Sequence, residues 1–106
     1  MDYAEIRRCL ANCRFTEHSR REMESEPLGR IQVEEVLQAL HAGEIIEEYP
    51  EDQPYPSCLI VGRTLTGRAL HIVGALVPEE SRFFIITTYQ PDQDRWEMDF
   101  RRRRRS

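Results

Sequence analysis

The stretch Gly62–Val77, GRTLTGRALHIVGALV, decides the fold. It sets a short Thr-Gly turn between two β-rich runs, with Ser57-Cys-Leu-Ile-Val61 entering and Leu70 to Val77 leaving. Two such runs about a tight turn are a hairpin signal. A third run, Arg82-Phe-Phe-Ile-Ile-Thr-Thr-Tyr89, follows Pro78-Glu79-Glu80 and extends the hairpin into an antiparallel meander. Apolar residues occupy both parities of these runs: Leu59 and Val61 against Cys58 and Ile60, Leu70 and Ile72 against Val73 and Ala75, Phe83 and Ile85 against Phe84 and Ile86. Strands of that kind are buried on both faces.

Upstream of the meander, the chain reads as helical. Asp2 to Asn12 puts Tyr3, Ile6 and Leu10 at helical spacing behind an Asp2 cap. Thr16 is placed to cap a second helix through Glu24, ended by Pro27 and Gly29. Val33, Val36, Leu37 and Leu40 mark a third helix from Val33 to His41, stopping at Gly43. Glu44 to Tyr49 reads as a first strand, and the prolines of PEDQPYP, residues 50–56, make a surface connector. Downstream, Trp96 and Phe100 stand four apart, suited to docking one last helical turn on the sheet. The expected architecture is α+β, with N-terminal helices packed on a three- to four-stranded antiparallel sheet. Residues 1–100 form the domain, and 101–106 a basic tail that self-repulsion keeps disordered. The helices cover one sheet face, and residues 94–104 are too few for the other, which points to a protein partner or self-association there.

A chain of 106 residues buries enough surface to need no disulfide or metal staple. No apolar run is long enough to span a bilayer, and the N-terminus lacks the basic start and apolar stretch of a signal peptide, so a cytoplasmic location is expected. Three cysteines form no metal-finger spacing and fit a reducing compartment. Cys9 and Cys13, four apart, would share a helix face and read as small packed hydrophobes rather than metal ligands. The net charge of −4 is uneven: residues 17–52 hold eleven acids against three arginines, whereas Arg101 to Arg105 is unbroken basic sequence. All fifteen cations are arginine, whose planar fork suits phosphate and carboxylate. An acidic total disfavours non-specific nucleic-acid binding.

Four polar residues are candidates for chemistry. His71 lies mid-strand on the face of Val73 and Ala75. It is either a packed histidine with its ring nitrogens satisfied or a general acid–base on a rigid strand, its ordinary pKa of about 6.5 making both forms accessible. Arg68, three residues earlier, falls on the opposite face in regular strand geometry and would have to act from the turn. His18 stands in the first turn of the second helix, and Tyr89 ends the last strand. There is no Gly-rich phosphate loop and no paired Cys-x-x-Cys, so no cofactor or metal is expected.

The segments FTEHSRREM, IQVEEVLQALHAGEIIEEYPEDQPYPSCLIVGRTLTGRALHIV and IITTYQPDQDRWEMDFRRR resemble the small bacterial proteins grouped as domain of unknown function 4258. Recurring residues of that family correspond to His18, Gly67, Arg68, His71, Tyr89, Pro91 and Asp92. Glu22 and Glu26 stand where its members often carry arginine, and Glu26-Pro-Leu-Gly29 is an insertion. Members often neighbour a zinc-finger antitoxin of the MqsA type, and their layout is similar to RelE, ParE and BrnT toxins. The resemblance implies the toxin of a type II toxin–antitoxin pair, cleaving messenger RNA without a metal through attack by the RNA's own 2′-OH. His71 or His18 would be base or acid, Arg68 the cation on the phosphorane, and Tyr89 a proton donor or stacking platform. The competing expectation is a non-catalytic interaction module, or degenerate toxin-like protein, whose sheet binds another protein.

Overall fold

A computed structural model of the chain describes residues 1–104. The meander forms its centre: β3 (Ser57–Arg63), β4 (Ala69–Val77) and β5 (Arg82–Tyr89) pair antiparallel in sequence order. The β3–β4 turn closes through Thr64 N–H to Arg68 O and Gly67 N–H to Thr64 O, both 2.9 Å. Gly67 takes φ +87° there, a backbone region that favours glycine. β2 (Glu44–Tyr49) adds antiparallel to β3, and β1 (Cys13–Phe15) adds parallel to β5. The sheet is therefore five-stranded and mixed, in the order β1-β5-β4-β3-β2, which corrects the expected three- to four-stranded antiparallel arrangement.

The extra strand arises because the first helix is shorter than its periodicity suggests. α1 spans Tyr3–Arg8, a 3₁₀ turn covers Leu10–Asn12, and the chain then straightens to lay Cys13 opposite Phe83 and Phe15 opposite Ile85. Cys9 and Cys13 consequently do not share a helix face. α2 (Glu17–Ser25) and α3 (Val33–His41) match the expected helices, with a shift of one residue at the end of α2. Thr16 fixes α2 to the sheet: its Oγ1 accepts from Ser19 N–H at 3.1 Å and donates to Ile86 O at 3.2 Å. Glu35 Oε1 accepts from Gln32 N–H at 2.9 Å and so closes the start of α3.

The two sheet faces are covered by different means. On the first, Ile6, Met23, Ile31, Val36 and Leu40 of the helical layer meet Cys58, Ile60, Leu70, Ile72, Phe83 and Ile85. On the second lie Leu59, Val61, His71, Val73 and Tyr89, as the strand register requires. There Pro54 and Tyr55 of the proline-rich connector sit over Ala75, Phe84 and Ile86 and line with them a half-open groove of about 250 Å³. Residues 92–104 form a strap over the other half. No helical turn docks Trp96 and Phe100; the strap doubles back through an antiparallel bridge between Trp96 and Arg103, with Phe100 at φ 58° in the bend. A left-handed residue at that point is incompatible with a continuing helix. Arg101 to Arg104, expected in the tail, bond to Glu44, Glu47 and the strap's own backbone, while residues 105–106 lie outside the described residues. Among the described residues no helix is long and apolar enough to cross a membrane.

α3 crosses β3 at closest approach over Gly62. A Cβ there would lie 2.1 Å from Ala39 O. Gly62→Ala should push α3 off the sheet and cost about 2 kcal/mol or more, in the range of overpacked cores. Urea unfolding measures it, and an unchanged midpoint would contradict this packing.

Candidate functional site

The second sheet face brings His71 and Tyr89 together because β4 and β5 place them directly opposite one another. His71 Nδ1 lies 3.2 Å from Tyr89 Oη, and Nε2 lies 2.7 Å from Phe100 O. A carbonyl can only accept, so Nε2 carries the proton and Nδ1 accepts from the tyrosine hydroxyl. Trp96 closes the site by standing edge-on to the imidazole, 4.3 Å between ring centroids. His71 is consequently 0 % exposed.

Around this pair the strap and β2 supply charge. Arg103 donates to both carboxylate oxygens of Glu47, each at 3.1 Å, and Tyr49 Oη donates to Glu47 Oε1 at 2.6 Å. The Arg103 guanidinium also lies 4.7 Å from the Trp96 ring centroid. Burial pushes the His71 pKa below its ordinary value; Arg103 adds to that, while the Phe100 hydrogen bond and Glu47 oppose it. Burial raises the phenol of Tyr89, and raises that of Tyr49 to about 12 with help from Glu47. Burial alone would raise the Glu47 carboxyl, but the bonds from Arg103 and Tyr49 outweigh it and hold the group below its usual range. At neutral pH the site thus contains a neutral imidazole, protonated phenols and an ionised carboxylate paired with a guanidinium.

The other two expected site residues lie elsewhere. Arg68, of the same parity as Leu70 and Ile72, reaches to the helical side. Its guanidinium bonds the carbonyls of Gly29 and Arg30, the Glu35 carboxylate at 3.3 Å and Gln90 Oε1 at 2.7 Å. That makes it a clamp between the α2–α3 loop, the start of α3 and the end of β5. His18 is on α2 with its side chain 67 % exposed, 3.4 Å from Glu22 Oε1. Cys13 and Cys58 are pushed up to about 11 and about 12, chiefly by burial, so their thiols stay protonated. Among the described residues no three His, Cys, Asp or Glu side chains are grouped to hold a metal ion.

Reading residues singly misses Glu47, Tyr49 and Arg103. The alternation of Glu47 and Tyr49 along Glu44–Tyr49 places them on one face, but their proximity to His71 depends on the β2–β3–β4 register. Arg103 is one of five identical residues, and nothing in its neighbours distinguishes it.

Three helices on one face of a mixed sheet, and on the other a buried histidine paired with a half-buried tyrosine, define a small α+β protein with a polar cluster built on its central strands. The chain belongs to the family described as Domain of unknown function (DUF4258), whose profile matches residues 15–90. No curated protein and no solved structure matches it. The match contains His71 and Tyr89, while residues 92–104 lie beyond it.

Two measurements check this arrangement. Arg68→Ala leaves Glu35 and Gln90 without their partner and should cost about 2 kcal/mol; Arg68→Lys, lacking the fork, should recover only part of it, as read by thermal melting. A melting point unchanged in Arg68→Ala would refute the clamp. The second concerns pH. His71 has a folded-state pKa below its unfolded value of about 6.5, so the unfolded chain binds more protons between the two values and stability falls as pH drops below about 6.5. The urea midpoint should decline from pH 7.5 to 5.5, and decline less in His71→Gln. His18 and His41 are present in both proteins, so equal slopes would contradict a buried neutral His71.

Proposed function

We propose that this protein is a RelE-like, metal-independent endoribonuclease, the toxin of a type II toxin–antitoxin pair, with His71 and Tyr89 handling protons. The observation that carries this reading is the His71–Tyr89 hydrogen bond on a rigid sheet, with the Arg103 guanidinium close enough to bias both groups. Transesterification of RNA needs those three roles. The 2′-oxygen attacks the adjacent phosphorus, a bond to phosphorus forms, and the bond to the 5′-oxygen breaks, giving a 2′,3′-cyclic phosphate and a 5′-hydroxyl. His71 Nδ1, neutral because it is buried, accepts the 2′-OH proton. Tyr89, kept protonated by burial, donates to the departing 5′-oxygen and is reprotonated by His71, so the proton balance closes. Arg103 stabilises the phosphorane charge, the role that Arg68 cannot fill from the helical side. The RelE-like part of this reading takes its support from α2 and α3 preceding the β2–β5 strands, while β1, placed before α2 and parallel to β5, departs from that layout. The partner on this reading is an antitoxin, of the MqsA-like zinc-finger kind, that covers the strap side of the sheet.

A second reading, the non-catalytic interaction module, is favoured by a different observation: His71 has both ring nitrogens occupied and no exposed surface. Induced expression in bacteria separates the two. The nuclease reading expects growth arrest with RNA ends bearing cyclic phosphate, and a loss of about 100-fold or more in cleavage for His71→Gln and Tyr89→Phe when both retain their melting transitions. Cleavage that survives in folded His71→Gln would overturn the assignment of this site. A folded wild type that neither arrests growth nor cuts RNA would favour the module.

A further inference from the structure

The strap is held to the sheet by contacts of two kinds. Trp96, 3 % exposed, and Phe100 O seal His71 from above. At the strap's return, Arg101 Nε donates to Glu44 Oε2 at 2.8 Å and Arg103 forks onto Glu47. These two carboxylates belong to β2 and face the strap from the same side of the sheet, as their pairing with Val61 and Leu59 requires. Arg101, Arg103 and both carboxylates remain in contact with solvent, their side chains 49 %, 62 %, 53 % and 30 % exposed respectively. Phe100, immediately before the two arginines, holds a left-handed φ of 58° that a residue other than glycine adopts only under constraint. A closed strap with a strained bend and exposed guanidinium–carboxylate fastenings can be opened by an anion that competes for the guanidinium groups.

We propose that Arg101 and Arg103 form a binding site for the phosphates of a single-stranded nucleic acid, occupied in the closed protein by Glu44 and Glu47, and that filling it lifts residues 92–104 from His71. The acidic strand edge acts as an internal stand-in for the polyanion. Phosphate matches the arginine fork as carboxylate does, and a strand carrying several phosphates engages both arginines at once. Displacement removes Trp96 and the Phe100 carbonyl from His71 and opens the site to the same strand, whose phosphates Arg103 goes on holding in place of Glu47. The inference rests on the nuclease reading only for the identity of the polyanion; the latch itself needs no catalysis.

Trp96 is the chain's one tryptophan and sits on the moving segment, so its emission reports opening. The probe is a single-stranded 2′-deoxy oligonucleotide, which lacks the attacking hydroxyl and stays uncut, titrated against the full chain, with sodium chloride of equal ionic strength as control. The emission should shift to the red and saturate, and the apparent affinity should fall with salt at a log–log slope of about −1.4 for two neutralised phosphates. Glu44→Gln with Glu47→Gln should lower the half-saturation concentration about 5-fold or more, since two exposed ion pairs no longer compete. Arg101→Gln with Arg103→Gln should abolish the saturable shift. Oligonucleotide binding detected by anisotropy while Trp96 emission stays fixed would overturn the latch, as would an unchanged half-saturation in the double glutamine variant of β2. Opening by the oligonucleotide without any RNA cleavage would leave the latch standing and remove the nuclease reading. Cleavage without opening would overturn the latch and, because His71 has no exposed surface under the closed strap, would also move the cleavage away from His71.

Discussion

A sheet whose two central strands are apolar on both sides has to be covered twice, and the rest of this structure depends on that constraint. β3 and β4 are buried along nearly their whole lengths. α1, α2 and α3 cover one face, leaving the other to segments without regular structure: the proline-rich connector at one end and the strap at the other. An irregular cover must satisfy its own backbone groups, and the strap does so through its bridge, its turns and the ring nitrogen of His71. The burial of His71 is therefore a consequence of covering the second face. A histidine on an exposed face would keep water at both nitrogens; under the strap it is neutral, oriented and inaccessible.

The charge distribution follows from the same arrangement. The acidic stretch and the basic end look opposed in the linear sequence, yet the fold lays Arg101 and Arg103 across Glu44 and Glu47. Exposed pairs of this kind contribute at most about 1 kcal/mol each. Burying an aromatic side chain such as Trp96 contributes more, about 2–3 kcal/mol. The strap's position is accordingly decided by Trp96, while the arginines decide how readily other anions disturb it.

The meander was legible because its signals are local: a turn with glycine at the position of positive φ, and three apolar runs of strand length. Strand ends at Val77, Arg82 and Tyr89 match the runs that the sequence displays, and β4 starts one residue before the expected Leu70. Caps at Asp2 and Thr16 were equally local, and both are formed. Cys13–Phe15 was not legible, since three residues cannot show an alternation and their pairing with β5 is set by tertiary contacts. The strap is illegible in the sequence for a related reason. Spacing of four between Trp96 and Phe100 is what a helix would show, but the left-handed Phe100 and the pairing of Trp96 with Arg103 arise from how the segment meets the sheet. Of the candidate residues, the opposite facing of Arg68 and His71 followed from an odd spacing, whereas the meeting of His71 with Tyr89 required the β4–β5 register.

Placement on the sheet separates two roles that the sequence brings close together. Arg68 and His71 are three residues apart, yet the pleat sends one to the helical layer and the other beneath the strap. The first joins Gly29, Arg30, Glu35 and Gln90, so its charge is neutralised and its donors are directed at fixed acceptors. The second has one fixed partner from β5 and one from the strap. Removing the strap leaves the β5 partner in place: the His71–Tyr89 bond is fixed by adjacent central strands, whereas the Phe100 bond is fixed by a bent segment at the chain's end. A group whose orientation survives the loss of its cover is preorganised on the sheet itself, and the strap then sets access to the pair without setting its geometry.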